Sequence, residues 1–188
     1  MGRAINASDS DNYISAGAHN RRLSFLGRRA MHAFLALFLH SIVASPTASA
    51  ESRRAAEQIL QAPDALDILL HTVRLGDRVG RALELEQVMR WTPVQIQSES
   101  GHAAEPGLFR IRGRTLEAFL GAIYHEHGAD LASQTFHAYV LPHIDSFPAS
   151  TPRSLWDDIK ARAEADAREL VSLQPWAAEK RLALGYSS

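Results

Sequence analysis

The chain reads as a mostly helical domain. Two observations predict this. Apolar residues recur at helical spacing through most of the 188 residues, and Ser, Pro and Gly punctuate those stretches where helices should start and stop. From Leu23 the periodic positions are Leu23, Leu26, Ala30, Phe34 and Leu37, with Ser41 on the same face. This predicts one long helix, ended at the Ser45-Pro46 step because the residue before a proline is steered out of the α region. Residues 1–18 are rich in Ser, Asn, Asp and Gly and read as a flexible lead-in.

A second helix is expected from Glu51 to Gln61, and a third opens at Ala62-Pro63-Asp64. The third carries Leu66, Leu69, Leu70 and Val73 and stops near Gly76. A short helix over 79–91 ends at Arg90-Trp91. Residues 92–112 break the rhythm. Val94, Ile96, Phe109 and Ile111 alternate with polar neighbours around Gly101, Pro106 and Gly107, which predicts an irregular loop or small hairpin. On such a segment Arg110, Arg112 and Arg114 point to one side, either toward RNA phosphates or toward internal acidic partners. Thr115–Tyr124 is the next helix, Gly128 marks a turn, and Leu131–Ile144 form another. Phe147-Pro148 through Thr151-Pro152 is a linker, and Ser154 is expected to cap a last, charged helix.

Charge is unevenly spread. The net is -1, yet residues 1–54 carry seven Arg against Asp9, Asp11 and Glu51, while residues 55–150 carry seven basic and twelve acidic side chains. A basic front and acidic middle suit a partner that is anionic on one side, a weak signal for nucleic acid. Cysteine is absent, which excludes disulfides, thiol catalysis and Cys-ligated zinc, and fits a reducing or matrix compartment. No run of 18 or more apolar residues suggests a membrane span. Arg28 to Ala50 imitates a signal peptide, but His32, His40 and Ser41 interrupt its apolar run and a long mixed segment precedes it. Asp9 and Asp11 make the first dozen residues a poor mitochondrial presequence.

Two segments carry a resemblance. The first is His19-Asn20-Arg21-Arg22-Leu23-Ser24-Phe25-Leu26-Gly27-Arg28-Arg29-Ala30-Met31. The second is Arg114-Thr115-Leu116-Glu117-Ala118-Phe119-Leu120-Gly121-Ala122-Ile123-Tyr124. In this order and separation they resemble the ribonuclease III signature, HNERLEFLGDS, and the second motif of that family, D-x-x-E-A followed by an apolar pair, G-A, an apolar residue and Tyr. The resemblance spans residues 19–145, with 146–188 as linker and helical tail. It implies a ribonuclease III-type helical bundle with a C-terminal helical extension. It also implies dimerisation through the signature helix, at Phe25, Leu26 and Phe34. A helix normally precedes the signature, so the chain is expected to start short.

Active members of that family hold magnesium with carboxylates, because a hard cation needs oxygen ligands and phosphodiester hydrolysis needs an activated water. The acidic positions of the family stand here as Arg21, Ser24, Arg28 and Arg114, and only Glu117 is retained. A guanidinium has no lone pair to offer a metal. No catalytic residue, metal ligand or cofactor is therefore expected, and Glu117 is expected to be ion-paired. Gly27 and Gly121 are expected to let backbones approach closely.

Other constellations have weaker claims. His125-Glu126-His127 lacks the one-turn spacing of a helical zinc motif and reads as a polar turn. His137 and His143 are expected on helix surfaces, and Trp156, Trp176 and Tyr186 as packing residues. No Gly-rich phosphate loop is present, and nothing gathers Ser, His and Asp into a triad. Inactivated ribonuclease III-like domains of this size resemble large-subunit proteins of fungal mitochondrial ribosomes. The resemblance thus implies a structural mitochondrial ribosomal protein. Its partners would be rRNA and a second ribonuclease III-like ribosomal protein, with Arg21, Arg22, Arg28, Arg29, Arg110, Arg112 and Arg114 toward RNA. The alternatives are a pseudo-nuclease that regulates an active relative, and a residual nuclease that borrows metal ligands from a partner.

Overall fold

In a computed structural model, residues 7–87, 89 and 105–172 are described, and among them the regular structure is entirely helical. Helix α1 runs Ala7–Ala44, α2 Ala50–Gln61, α3 Ala65–Leu69, α4 Thr72–Asp77 and α5 Val79–Ala82. A 3-10 turn follows at Leu85–Gln87. Helix α6 spans Glu105–Tyr139, a second 3-10 turn covers Leu141–His143, and α7 spans Arg153–Ser172. The central element is α6, against which α1, α4 and α7 pack.

The first helix starts well before Leu23. Residues 7–18 continue it backward, where a flexible lead-in had been expected. It ends as foreseen: Ser45 Oγ accepts from the amides of Thr47 and Ala48 ahead of the next helix. Its buried face is Gly27, Ala30, Met31, Phe34, Leu35, Phe38 and Leu39, whereas Leu37 is exposed. Ser49 caps α2 by accepting from Ser52 N at 3.0 Å. The expected third helix is two short ones, broken at Leu70-His71 so that Leu69, Leu70 and Leu75 all reach the core.

Residues 105–112 are helical, not hairpin. Pro106 sits in the first turn of α6, where a missing amide hydrogen costs nothing. Helical rather than alternating geometry therefore decides where the arginines point. Gly128 adopts φ 86 and ψ -178, a conformation that favours glycine, and kinks α6 there. Met89 apart, residues 88–104 lie outside the described residues, as do Trp176 and Tyr186.

The start of α7 also differs. The Pro152 carbonyl accepts the first bond, from Leu155 N at 3.1 Å. Ser154 lies inside the first turn, its Oγ buried with no hydrogen-bond partner among the described residues. Below it α7 buries Leu155, Ile159, Ala163 and Leu170, and the Trp156 ring packs edge-on to Phe147 at 5.2 Å.

Two helix crossings are closer than side chains would allow. A Cβ on Gly27 would overlap the Glu117 carbonyl of α6, and one on Gly121 would overlap the Leu23 carbonyl of α1. Gly76 of α4 and Gly113 of α6 make a second crossing in the same way, against Phe109 and Thr72. The first pair was expected from the motifs; the second was not.

Candidate nucleic-acid interface

Arg21, Ser24 and Arg28 fall at i, i+3 and i+7, which places them on one face of α1. Arg110, Arg114 and Glu117 fall at i, i+4 and i+7 on α6. The Gly27–Gly121 crossing draws these faces together. All six residues line one open groove, with His71 and Thr72 of the α4 start at its side.

Glu117 forms the floor. It is only 3% exposed. Its Oε2 accepts from Ser24 Oγ at 2.6 Å and its Oε1 from Thr72 Oγ1 at 2.7 Å. Both oxygens are thus occupied by hydroxyls from α1 and α4, and no ion pair reaches Glu117 among the described residues. The expected pairing with arginine is corrected: the partners of the carboxylate among the described residues are hydroxyls, which meet its burial cost. Thr72 escaped sequence reasoning because no motif marks it.

The rim is cationic. Arg21, Arg110 and Arg114 are exposed and have no ion-pair partner among the described residues. Arg28 approaches Asp67 at 3.7 Å with both side chains largely in solvent, a pairing worth little. His32, beside the same Asp67, has its pKa lowered chiefly by burial, which the aspartate opposes.

Residues 10–144 match the model of a ribonuclease-III-like family. The chain belongs to the ribonuclease-III-like family. No curated protein and no solved structure matches it. The helix α7 lies beyond the matched span. The five positions where the family resemblance places acidic residues, Arg21, Ser24, Arg28, Arg114 and Glu117, all line the same groove.

Phe25 lines the same groove, as does the exposed Phe119 of α6, and the remaining expected site residues lie apart from it. Arg22 and Arg29 are exposed on α1, and Arg29 stacks over the Phe25 ring at 5.5 Å. Arg112 is not a surface residue: at 5% exposure it pairs with Glu86 and lies over the Phe109 ring at 5.5 Å. Two residues from both Arg110 and Arg114, it faces the other way around the helix. Among the expected interface residues Phe25 is 65% exposed and Leu26 half-buried, but Phe34 is core. Its ring packs at 6.0 Å from Phe136, so it is not available to a partner.

His125, Glu126 and His127 are exposed at the last turn before the Gly128 kink. His143 is exposed as expected; His137 is not. It is 5% exposed, with Nδ1 2.8 Å from Asp166 Oδ2, and Arg162 Nε donates to the same oxygen at 2.9 Å. Burial lowers the His137 pKa against the opposing pull of Asp166. The i, i+4 spacing of Arg162 and Asp166 was readable, but nothing in the sequence joined them to His137.

Proposed function

We propose that this chain is a non-catalytic ribonuclease-III-like domain that works as a structural, RNA-associated protein. The observation that carries the proposal is the composition of the groove. Where the family resemblance calls for a set of carboxylates, one remains, and both its oxygens already accept hydroxyl hydrogen bonds. Around it stand guanidiniums, which donate only and repel a cation. A hard divalent ion needs several oxygen ligands, and this donor set does not fit magnesium. The arrangement instead suits an anion.

The finer reading is a structural constituent of the mitochondrial large ribosomal subunit, seated on rRNA and on a second ribonuclease III-like protein. Its support is the motif resemblance, together with a groove whose packing residues persist while its metal-binding positions have reversed charge. Phe25, exposed on the signature helix, favours the regulator reading as well, since a nuclease partner would need such a contact.

Sedimentation of the tagged full chain from a magnesium-containing mitochondrial lysate, with and without EDTA, tests the proposal. Co-migration with the large subunit, lost when EDTA dissociates it, is the expected result. A light, ribosome-free peak rejects the ribosomal reading, and recovery with an active nuclease replaces it with the regulator. Cleavage of duplex RNA by the purified chain in magnesium rejects the non-catalytic reading.

A further inference from the structure

A separate cavity of about 270 Å3 opens between α2, α3 and the segment that leads into α7. It shares no lining residue with the groove. Its apolar walls include Ile59 of α2, Ile68 and Leu69 of α3, and Pro148. Gln58, Ser146, Ser150 and Thr151 add uncharged polar atoms, and no charged side chain lines it among the described residues. Ile68 is 51% exposed, an apolar surface left to water. Ser146 to Thr151 follow the family span of residues 10–144, so the cavity is built jointly by that span and the extension after it. Its size falls below the roughly 300–1,000 Å3 of small-molecule sites and suits one or two apolar side chains.

We infer that this cavity receives the chain's own C-terminal segment, residues 173–188, with Leu182 and Leu184 as its apolar anchors. Those residues lie outside the described ones and follow the last turn of α7, whereas Ser150 and Thr151 place the cavity beside its first. The 20 residues of α7 span about 30 Å. Extended chain from Ser172 to Leu184 covers roughly 40 Å, enough to run back along the helix, while Trp176 reaches only roughly 14 Å. Leu182-Ala183-Leu184 is uncharged, as the lining is. Charge at the mouth matches what precedes it. Exposed Glu51 stands one turn before Ala55, Asp64 lies between the lining residues Pro63 and Ala65, and Arg54 is one turn before Gln58. None of the three has an ion-pair partner among the described residues. Against these two acids and one base, Glu179-Lys180-Arg181 offers one acid and two bases. A peptide from elsewhere could offer the same chemistry, but tethering raises the local concentration of this one, so contacts too weak in trans hold in cis. Nothing in this arrangement depends on what the groove binds.

The chain has no cysteine, so a pair of introduced ones reports a single contact. A disulfide forms only where the two Cα atoms come within about 7 Å. Gln58→Cys sets one thiol on the lining of the cavity, and Ala183→Cys sets the other between the two anchors. The experiment is oxidation of the purified full-length Q58C/A183C variant in a glutathione buffer, read by non-reducing electrophoresis and mass spectrometry of the linked peptides. An intramolecular link should form at least about tenfold faster than in R110C/A183C, whose first thiol lies on the groove. Adding Leu182→Glu and Leu184→Glu should bring the rate down to that of the control. Gln58 and Arg110 are exposed helix positions, and circular dichroism of the reduced variants checks that each is folded.

Equal rates in Q58C/A183C and R110C/A183C overturn the inference, since the segment would then be no closer to the cavity than to the groove. Links between two chains in place of links within one overturn it too, and assign the cavity to a second copy. So does a rate that the glutamate substitutions leave unchanged. Ile68→Glu in the Q58C/A183C background is the reciprocal test from the side of the cavity. A fall to the control rate supports the docking, and an unchanged rate places the anchors elsewhere and overturns it.

Discussion

Glu117 shows how a single retained residue can change its work. Its carboxylate bridges hydroxyls from two helices at 2.6 and 2.7 Å. Hydrogen bonds to a charged group contribute about 1.5–3 kcal/mol each, and truncation also strands the donors. Glu117→Ala should therefore cost about 3 kcal/mol or more, read as a lower urea midpoint with unchanged slope. Glu117→Gln keeps the shape and one acceptor and should cost far less. Equal midpoints for the two variants would mean that the hydroxyl bonds contribute little. His137 gives the matching pH prediction. Burial lowers its folded pKa, so as pH falls the unfolded chain takes up a proton first, near 6.5, and the folded chain only below that. Stability should be full above that value and decline as pH drops through it toward the folded pKa. His137→Asn should flatten the decline in urea midpoint. His32 shifts in the same direction and leaves a residual slope. An unaltered profile in the variant would show that the Asp166 contact offsets the burial of His137.

Among the elements, the glycine crossings decide the geometry of the groove. Substituting alanine inside a helix normally stabilises it by up to about 1 kcal/mol. At Gly121 the added Cβ meets the Leu23 backbone carbonyl, which no rotamer change can relieve. Overpacking of this kind costs typically 1–3 kcal/mol or more, so Gly121→Ala should be destabilising despite its propensity gain. A urea midpoint at or above that of the parent would mean that α1 and α6 can separate freely. The Gly27–Gly121 pair was readable because both residues sit within motifs of apolar neighbours. Gly76 and Gly113 were not, since neither falls within the two motifs that carry the resemblance. The start of α6 was misread for a related reason: Pro106 and Gly107 break helices in their interior but not in a first turn. The fate of Arg112 followed from that error. Once residues 105–112 are helical, an alternating row of arginines becomes two on the groove and one packed inward against Phe109.

At the scale of the whole molecule, the family span ends at residue 144 but the core does not. The tail was readable as a charged helix, yet its mixed charges hid the face that matters: Leu155, Ile159, Ala163 and Leu170 are buried, and Asp166 joins Arg162 and His137 beneath them. Burying a Leu or Ile contributes about 1.5–3 kcal/mol, so Leu155, Ile159 and Leu170 together contribute roughly 5–9 kcal/mol before conformational entropy is charged against them. A domain of this kind is stable by only about 5–15 kcal/mol in total. Truncation after Ser150 removes these side chains, bares their partners on α6 and α2, and leaves His137 without Asp166. The truncated chain should lose its cooperative thermal transition or melt far below the parent, as followed by circular dichroism. If it unfolds cooperatively at the parent's midpoint, α7 is an accessory that merely rests on the bundle. If it does not, the matched span is a fold only with its extension. Loss of RNA binding by such a truncation would then report unfolding, not a contact made by the tail. The point variants in the groove are for that reason the cleaner probes of what the groove holds.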